Sequence, residues 1–293
     1  MDLKVLSPAN SKTLCVFENL PEDTTILALK KAYKQKFPDL YISRQSFRSS
    51  TRGKALKDTE TLKETSESGV IYYKDLGPQI GWSTVFYIEY AGPLFVYLWF
   101  YLNNSGELSR VQHIAAACHS FHYLKRLLET KFVHRFSHGT MPLRNLFKNC
   151  SYYWSFAAWQ AYLINHQSYT APSYGSAQVN GALVAFILCQ IGNFSIHIAL
   201  KNLRKPGSTE RKIPFPTGNP FTSMFSFVSC PNYTYEVGSW LSFAVMTQSF
   251  SSLIFATLGF MQMSQWALGK HRNYKKEFSN YPRSRKAIVP FFI

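Results

Sequence analysis

The sequence predicts a small α+β domain followed by an α-helical polytopic membrane domain with about six or seven transmembrane helices. Charge and composition differ sharply between the two parts. Residues 1–80 hold 13 basic and 10 acidic side chains, a net charge of +3. Residues 81–293 hold 19 basic and 6 acidic side chains, a net charge of +13, among long aromatic and aliphatic runs. We therefore expect a first domain at 1–76 and a membrane domain at 77–293.

Composition excludes several classes of protein. A hydrophobic content of 46% and an aromatic content of 16% exclude a disordered chain. The formal charge of +16 does not indicate a nucleic-acid binder, because the basic residues flank apolar runs and do not form one polar face. Five cysteines, an odd number without a CxxC motif, favour free thiols. Met1–Ser11 lacks the apolar core of a signal peptide, so we expect the first domain in the cytosol.

The first domain shows an ordered series of short elements. Alternating apolar residues at 3–5 and 14–16 predict a hairpin, and a helical pattern runs from Thr25 to Lys36. Strand patterns follow at Arg44–Arg48 and Val70–Tyr73. This order is similar to that of the ubiquitin-like β-grasp fold. Because the domain carries no reactive cluster, we expect a docking or regulatory module.

The second part contains apolar runs of membrane-spanning length. Trp82–Leu102 is 21 residues long with a single charge, and Val179–Leu200 is comparably apolar. Val237–Leu268 has 32 residues without a charge, which predicts two passes or one broken helix. Val111–Arg126 and Tyr152–Ile164 are shorter or partly polar. Basic clusters beside these runs predict that the adjoining loops face the cytosol.

Polar residues inside apolar helices are informative, because each costs free energy unless it is paired or used. Asn193, His197, Lys201 and Arg204 fall at i, i+4, i+8 and i+11 and form one stripe that ends in two cations. Such a stripe suits a dinucleotide, because the amide and the imidazole could bind its ring or ribose while the two cations bind its phosphates. The alternative is a hydrogen-bonded seam between helices, with cations that reach the interface.

Two further stripes and one isolated carboxylate complete the set. The stripes comprise His119, His122, Tyr123 and Arg126 with the adjacent Lys125, and Asn232 with Glu236. Glu89 is the single charge of the first apolar run, where an unpaired carboxylate is costly. It predicts either a functional group or a hydrogen bond between helices.

Histidine pairs raise the question of a metal. His134 and His138 are spaced HxxxH, and His119 and His122 are spaced HxxH. Membrane di-iron enzymes use about eight ligands that include adjacent histidines, and this chain has eight histidines with no adjacent pair. We therefore expect no metal. No GxGxxG motif follows a strand, so a bound dinucleotide would lie in the membrane domain.

Several long runs resemble one family. They are EYAGPLF (89–95), CHSFHYLKRLLETKFVHRFSHGTMPLRN (118–145), GNFSIHIALKNLRKPG (192–207), RKIP (211–214), SCPNYTYEVGSW (229–240) and GKHRNYKKEFSNYPRSRKAIVPFFI (269–293). Together they resemble the steroid 5α-reductase superfamily, most closely its very-long-chain trans-2-enoyl-CoA reductase branch. The resemblance covers essentially the whole chain, including the ubiquitin-like domain that this branch carries.

The resemblance implies NADPH as cofactor and a set of residues that bind it. Two of these positions differ from the steroid branch. That branch has Asp where this chain has His197, and Tyr-Arg where this chain has Arg211 and Lys212. The implied cofactor-binding residues are Asn193, His197, Arg204, Arg211, Lys212, Asn232, Glu236, His271 and Tyr274.

The resemblance also implies catalytic residues. Tyr233 of the PNY motif is the expected proton donor. Glu89 and Tyr123 match the residues that polarise the substrate carbonyl in the steroid enzymes. Lys125 and Arg126 are typical of the branch, with a structural or phosphate-binding role.

The function expected from this resemblance is NADPH-dependent reduction of trans-2-enoyl-CoA to saturated acyl-CoA, the last step of very-long-chain fatty-acid elongation. The expected location is the endoplasmic-reticulum membrane, with the first domain and the active site facing the cytosol. The expected partners are long-chain 2-enoyl-CoA, the bilayer and other elongation enzymes. Two alternatives stay open, namely reduction of a steroid or polyprenol enone, and a non-catalytic scaffold of the elongation machinery.

Overall fold

The computed structural model describes residues 1–66, 68–136, 139–204 and 210–293. These residues divide into two compact units. The first unit consists of residues 1–82 and a later stretch that contains Thr140–Pro142 and ends at Phe147. The second unit contains the other described residues.

A mixed four-stranded sheet forms the centre of the first unit. The strand order is β2-β1-β4-β3, with β1 and β4 parallel and the other two pairs antiparallel. This is the β-grasp arrangement that the order of elements predicts, so that prediction is confirmed. The elements are β1 (Leu3–Leu6), β2 (Thr13–Phe17), α1 (Ile26–Lys36), β3 (Gln45–Arg48), α2 (Leu62–Thr65), β4 (Val70–Asp75), β5 (Gln79–Gly81) and β6 (Thr140–Pro142).

Helix α1 packs on the sheet through one apolar face. Ile26, Leu29 and Tyr33 follow the helical period and are buried. The Thr25 hydroxyl caps the helix by accepting from the Ala28 amide at 3.2 Å. In β2 the side chain of Phe17 is buried, whereas Leu14 and Val16, which point to the other side of the strand, are exposed. The hairpin therefore keeps one face for the core and one for solvent.

Six long helices follow in the described residues. The first coincides with the predicted run, and the Val237–Leu268 run is divided at Gln248, whose φ of 46° is left-handed. Among the described residues, two helices (the first and the fourth of the six) are long and apolar enough to cross a membrane. The six are α3 (Trp82–Leu102), α4 (Arg110–Phe132), α5 (Leu143–Asn165), α6 (Gly175–Asn202), α7 (Pro231–Thr247) and α8 (Phe250–Glu277).

Two helices are longer than the apolar patterns predict. Helix α4 continues six residues past Arg126, and α5 begins nine residues before Tyr152. The added turns are polar, so hydropathy does not reveal them. In α4 these turns carry Glu129, the carboxylate at the centre of the candidate site.

Helices α6 and α7 approach each other closely because small residues lie between them. A Cβ atom added at Gly192 would lie 2.5 Å from a ring carbon of Tyr235. A Cβ atom added at Gly238 would lie 2.6 Å from the Cys189 sulfur. Both distances are shorter than van der Waals contact, so glycine permits this packing.

We predict that Gly192→Ala destabilises the helical unit, because Tyr235 must shift to admit the methyl group. Overpacking of this kind costs roughly 1–3 kcal/mol. Gly181→Ala is the matched control in the same helix, since its Cβ would meet nothing within 4 Å. Thermal unfolding of both variants in detergent measures the difference. Equal melting temperatures would contradict the packing.

Candidate functional site

A buried carboxylate, Glu129, is the centre of a polar network inside the helical unit. Its side chain is 1% exposed. Arg126 Nη1 donates to Oε2 at 2.7 Å, and His197 Nδ1 lies 3.1 Å from the same oxygen. Lys125 Nζ lies 3.5 Å from Oε1. Helix geometry places Arg126 and Lys125 beside Glu129, because residues three and four positions apart share a face.

The network continues from Lys125 across two more helices. Lys125 Nζ donates to Asn193 Oδ1 at 2.6 Å. Asn193 Nδ2 lies 3.0 Å from the Asn232 carbonyl and 3.1 Å from Glu236 Oε2. Helices α4, α6 and α7 each contribute a side chain, so three separately predicted stripes converge.

Glu236 forms the far end of this network. Its Oε1 lies 3.3 Å from both Trp240 Nε1 and His122 Nε2. Gln190 Nε2 lies 3.0 Å from His122 Nδ1. The Gln190 Oε1 atom is buried and has no hydrogen-bond partner among the described residues. The network therefore retains a buried acceptor that a polar ligand group could satisfy.

The expected carbonyl-polarising residues, Glu89 and Tyr123, lie near Tyr90, which contacts Arg126. Arg126 Nη2 donates to the Tyr90 hydroxyl at 2.8 Å. Tyr123 is buried, with its ring centroid 6.3 Å from that of Tyr90. Glu89 is also buried, and its Oε1 accepts from Asn149 Nδ2 at 2.6 Å. The carboxylate thus has a hydrogen bond to another helix, as one of the two sequence interpretations expects.

Three potential metal ligands meet in the network. The ligand atoms of Glu129, His134 and His197 lie within 4.8 Å of one another. Burial, with the nearby Arg126 guanidinium, lowers the pKa of His134 to about 3, so its imidazole is neutral. Arg126 and Lys125 already neutralise the carboxylate, and a divalent cation would add buried positive charge beside them. The absence of a metal stays a prediction, and His138 lies outside the described residues.

A second cluster of candidate residues lies around the end of α8 and the segment that follows it, residues 278–293, which is called the C-terminal segment. Lys270 Nζ lies 5.2 Å from the ring centroid of Tyr233. Arg211 is ion-paired with Glu277 at 2.9 Å, and its guanidinium carbon lies 5.9 Å from the Tyr274 ring centroid. The first turn of α7 takes part in both groups, because the Asn232 carbonyl joins the network and Tyr233 joins this cluster.

His271 is fixed in this second cluster by short hydrogen bonds. Its Nδ1 lies 2.6 Å from the Ser229 hydroxyl, which also lies 2.6 Å from the Tyr281 hydroxyl. Tyr281 stacks on Tyr274, with ring centroids 5.4 Å apart and planes inclined by 2°. The C-terminal segment therefore orders two of the expected cofactor-binding residues.

Two expected cofactor-binding residues, Arg204 and Lys212, lie outside both groups. The Arg204 carbonyl accepts a hydrogen bond from Arg135, and its guanidinium has no partner among the described residues. Lys212 is half exposed and pairs with Glu210 at 3.2 Å. Lys212 is thus at the surface, while Asn193 and His197 are buried.

Sequence reasoning missed several members of the network. Glu129 could have been found, since it follows Lys125 by four residues and Arg126 by three. The other missed residues carry no comparable signal, because they are ordinary aromatic or amide residues in apolar helices. They are Tyr90, Gln190 and Trp240. His134 was considered only as a possible metal ligand together with His138.

The fold and the site define a β-grasp unit joined to a helical unit with a buried ionic network. The family described as "3-oxo-5-alpha-steroid 4-dehydrogenase" matches residues 139–293, and that described as "TECR, ubiquitin-like domain" matches residues 1–75. Both matches agree with the family that the sequence motifs resemble.

Curated relatives resemble the chain over nearly its full length. The "Probable very-long-chain enoyl-CoA reductase art-1" of Caenorhabditis elegans is 50% identical over 96% of this chain and 95% of its own. The "Very-long-chain enoyl-CoA reductase" of Dictyostelium discoideum is 45% identical over the whole of both chains. The "Trans-2,3-enoyl-CoA reductase-like" protein of Bos taurus is 41% identical over 100% of this chain and 84% of its own. The chain belongs to the very-long-chain enoyl-CoA reductase family.

We predict that Glu129→Gln strongly destabilises the helical unit. The substitution keeps the side-chain volume but leaves two buried cations without their counter-charge. Breaking a buried ion pair on one side costs about 3–5 kcal/mol. Glu107→Gln, at an exposed position, is the control and should have no effect. An unchanged melting temperature of the Glu129 variant in detergent would show that the network does not carry this energy.

Proposed function

We propose that this chain reduces trans-2-enoyl-CoA to saturated acyl-CoA with NADPH, as the last step of very-long-chain fatty-acid elongation. The proposal places the enzyme in the endoplasmic-reticulum membrane, with its first domain and active site on the cytosolic side. Other elongation enzymes are its proposed partners. The observation that carries the proposal is the buried network that joins Lys125 and Arg126 to Asn193 and Glu236.

A multi-pass membrane domain is supported by the outer surfaces of the helices. On α4, whose inner face is polar, Phe121, Leu124, Leu128 and Phe132 are each at least half exposed. These residues follow the helical period and form an apolar stripe. Water would not favour such a surface, whereas lipid accommodates it. We therefore propose that helices beyond α3 and α6 also lie in the bilayer, with six or seven crossings in total.

The chemistry of the donor set fits a phosphorylated dinucleotide. Amide and carboxylate groups of Asn193 and Glu236 would hold the uncharged parts of the cofactor, where Gln190 Oε1 still lacks a partner. The Arg204 guanidinium, together with Arg211 and Lys212, would hold phosphate. The remaining proposed cofactor-binding residues are His197, Asn232, His271 and Tyr274. When bound, NADPH supplies a hydride.

The reduction needs further groups from the protein. Hydride addition at C3 develops negative charge on the thioester oxygen, and C2 must then receive a proton. Tyr233 is the proposed proton donor, and Glu89 with Tyr123 is the competing pair. Lys125 and Arg126 have a proposed structural or phosphate-binding role, and the net charge of +13 over residues 81–293 suits two polyanionic ligands.

One assay separates the proposed function from its two alternatives, which are reduction of a steroid or polyprenol enone and a non-catalytic scaffold. Purified protein in detergent should oxidise NADPH when a long-chain 2-enoyl-CoA is added, and saturated acyl-CoA should accumulate. Oxidation with an enone alone would favour the first alternative. Acyl-CoA binding without NADPH oxidation would favour the second.

We predict that Tyr233→Phe lowers kcat by roughly 10²–10⁴-fold, because it removes a positioned acid with little change in volume. NADPH binding and thermal stability should be retained. Tyr123→Phe is the comparison. If the Tyr233 variant keeps near-normal kcat while Tyr123→Phe is inactive, the donor is Tyr123 and Tyr233 is an interfacial anchor.

We predict that Arg204→Ala weakens NADPH binding by roughly 1.5–3 kcal/mol, the range for a hydrogen bond to a charged group. The change should spare folding, because the described structure uses the Arg204 carbonyl and not its guanidinium. Arg110→Ala is the control, since Arg110 contacts Asn180 near the opposite end of α6. Unchanged affinity in a folded Arg204 variant would remove this residue from the site.

A further inference from the structure

Tyr90 is held by a cation in a way that leaves its proton available. Arg126 Nη2 donates to the Tyr90 hydroxyl at 2.8 Å, while Nη1 of the same guanidinium donates to Glu129 at 2.7 Å. Tyr90 is 6% exposed, and the Arg126 side chain is 12% exposed. The pair is thus buried and anchored on one side by a carboxylate.

The direction of this hydrogen bond is settled by chemistry. A guanidinium has donors and no acceptor, so the phenol oxygen must accept. The single phenol proton then points elsewhere, and the described residues offer it no hydrogen-bond acceptor. A hydroxyl that accepts from a buried cation becomes a stronger donor, because successive hydrogen bonds polarise each other. Tyr90 is therefore prepared to donate to an acceptor that the fold does not supply.

The surroundings of Tyr90 are those expected for the reacting carbonyl. Its ring centroid lies 6.3 Å from that of Tyr123 and 6.2 Å from that of Tyr153. Glu89, the neighbouring residue, already accepts a hydrogen bond from Asn149. An ionised carboxylate cannot donate to an oxygen that gains negative charge. The phenol meets this requirement, and the carboxylate meets it only when protonated.

We propose that Tyr90, polarised by Arg126, donates a hydrogen bond to the thioester oxygen of the 2-enoyl-CoA and stabilises the enolate. The inference rests on the proposed function and adds a catalytic residue to it. As hydride reaches C3, the C2=C3 electron pair forms the C1=C2 bond of the enolate. The carbonyl pair moves onto oxygen, where the Tyr90 proton is hydrogen-bonded and not transferred. Protonation at C2 then restores the carbonyl.

Tyr90→Phe tests this role by removing the hydroxyl. Removal of one donor to a developing oxyanion typically lowers kcat by about 10²–10³-fold. NADPH affinity should stay within about twofold of wild type. The primary isotope effect with 4-deuterated NADPH should rise, because hydride transfer becomes slower than the other steps. A purely structural role would not raise this isotope effect. Tyr87→Phe, an exposed hydroxyl on the same helix, is the matched control.

A second variant covers the possibility that Tyr90→Phe fails to fold without its contact to Arg126. Incorporation of 2,3-difluorotyrosine at position 90 keeps the ring and the acceptor oxygen but makes the phenol a stronger donor. The single-turnover rate of NADPH oxidation should then exceed the wild-type rate. A single-turnover rate equal to or below that of wild type would overturn the proposal.

The outcomes separate this inference from the function on which it rests. Wild-type protein that does not reduce any long-chain 2-enoyl-CoA overturns both. An active wild type with a folded Tyr90→Phe variant whose kcat is within threefold of normal overturns the role of Tyr90 and leaves the function. A large loss of kcat with normal NADPH affinity and a raised isotope effect supports both.

Discussion

The helical unit depends on the neutralisation of two cations in an apolar interior. Arg126 and Lys125 would be very costly to bury alone, and Glu129 offsets that cost by direct contact with both. All three lie on one face of α4, so this contact is local to the helix. The second carboxylate of the network, Glu236, comes from α7 and is linked to Lys125 through Asn193. The remaining hydrogen-bonding capacity of the cations can then be directed outward. Arg126 reaches Tyr90 on α3, and Lys125 reaches Asn193 on α6.

This arrangement links charge to helix packing. Asn193 contacts both Lys125 and the α7 residues Asn232 and Glu236, so three helices are aligned by polar contacts as well as by apolar ones. Gly192, next to Asn193, permits the close approach of α7 through Tyr235. The small residue and the polar residue act together, because Asn193 can reach the α7 backbone only when the helices are near each other.

The two groups of candidate residues differ in what holds them. The interior network is fixed by side chains of long helices, which hold their geometry through packing. The second cluster depends on the segment after α8, because Tyr281 of that segment and His271 of α8 both contact the Ser229 hydroxyl at 2.6 Å. Residues at the start of α7 belong to both groups. A ligand that contacts both groups would therefore couple the order of the C-terminal segment to the interior.

Sequence alone determined the order of elements and the polar stripes. Helical spacing shows that Asn193 and His197 share one face of a helix, and that Asn232 and Glu236 do so as well, because the helical period is 3.6 residues. Apolar length identifies α3 to the residue, since a membrane-spanning run is defined by composition. The last turns of α4 and the first turns of α5 were not predicted, because charged residues in a sequence normally indicate a solvent-exposed segment.

Only the tertiary structure decided which stripes face each other. Tyr90 carries no sequence signal, because an aromatic residue in an apolar helix is ordinary until a cation is found beside its hydroxyl. Glu89 and Glu129 are both buried carboxylates, yet one accepts from an amide and the other neutralises two cations. Spacing along a single helix cannot separate these cases, since the partners come from other helices. Long-range packing assigns each polar side chain its partner, and with it the chemistry it can perform.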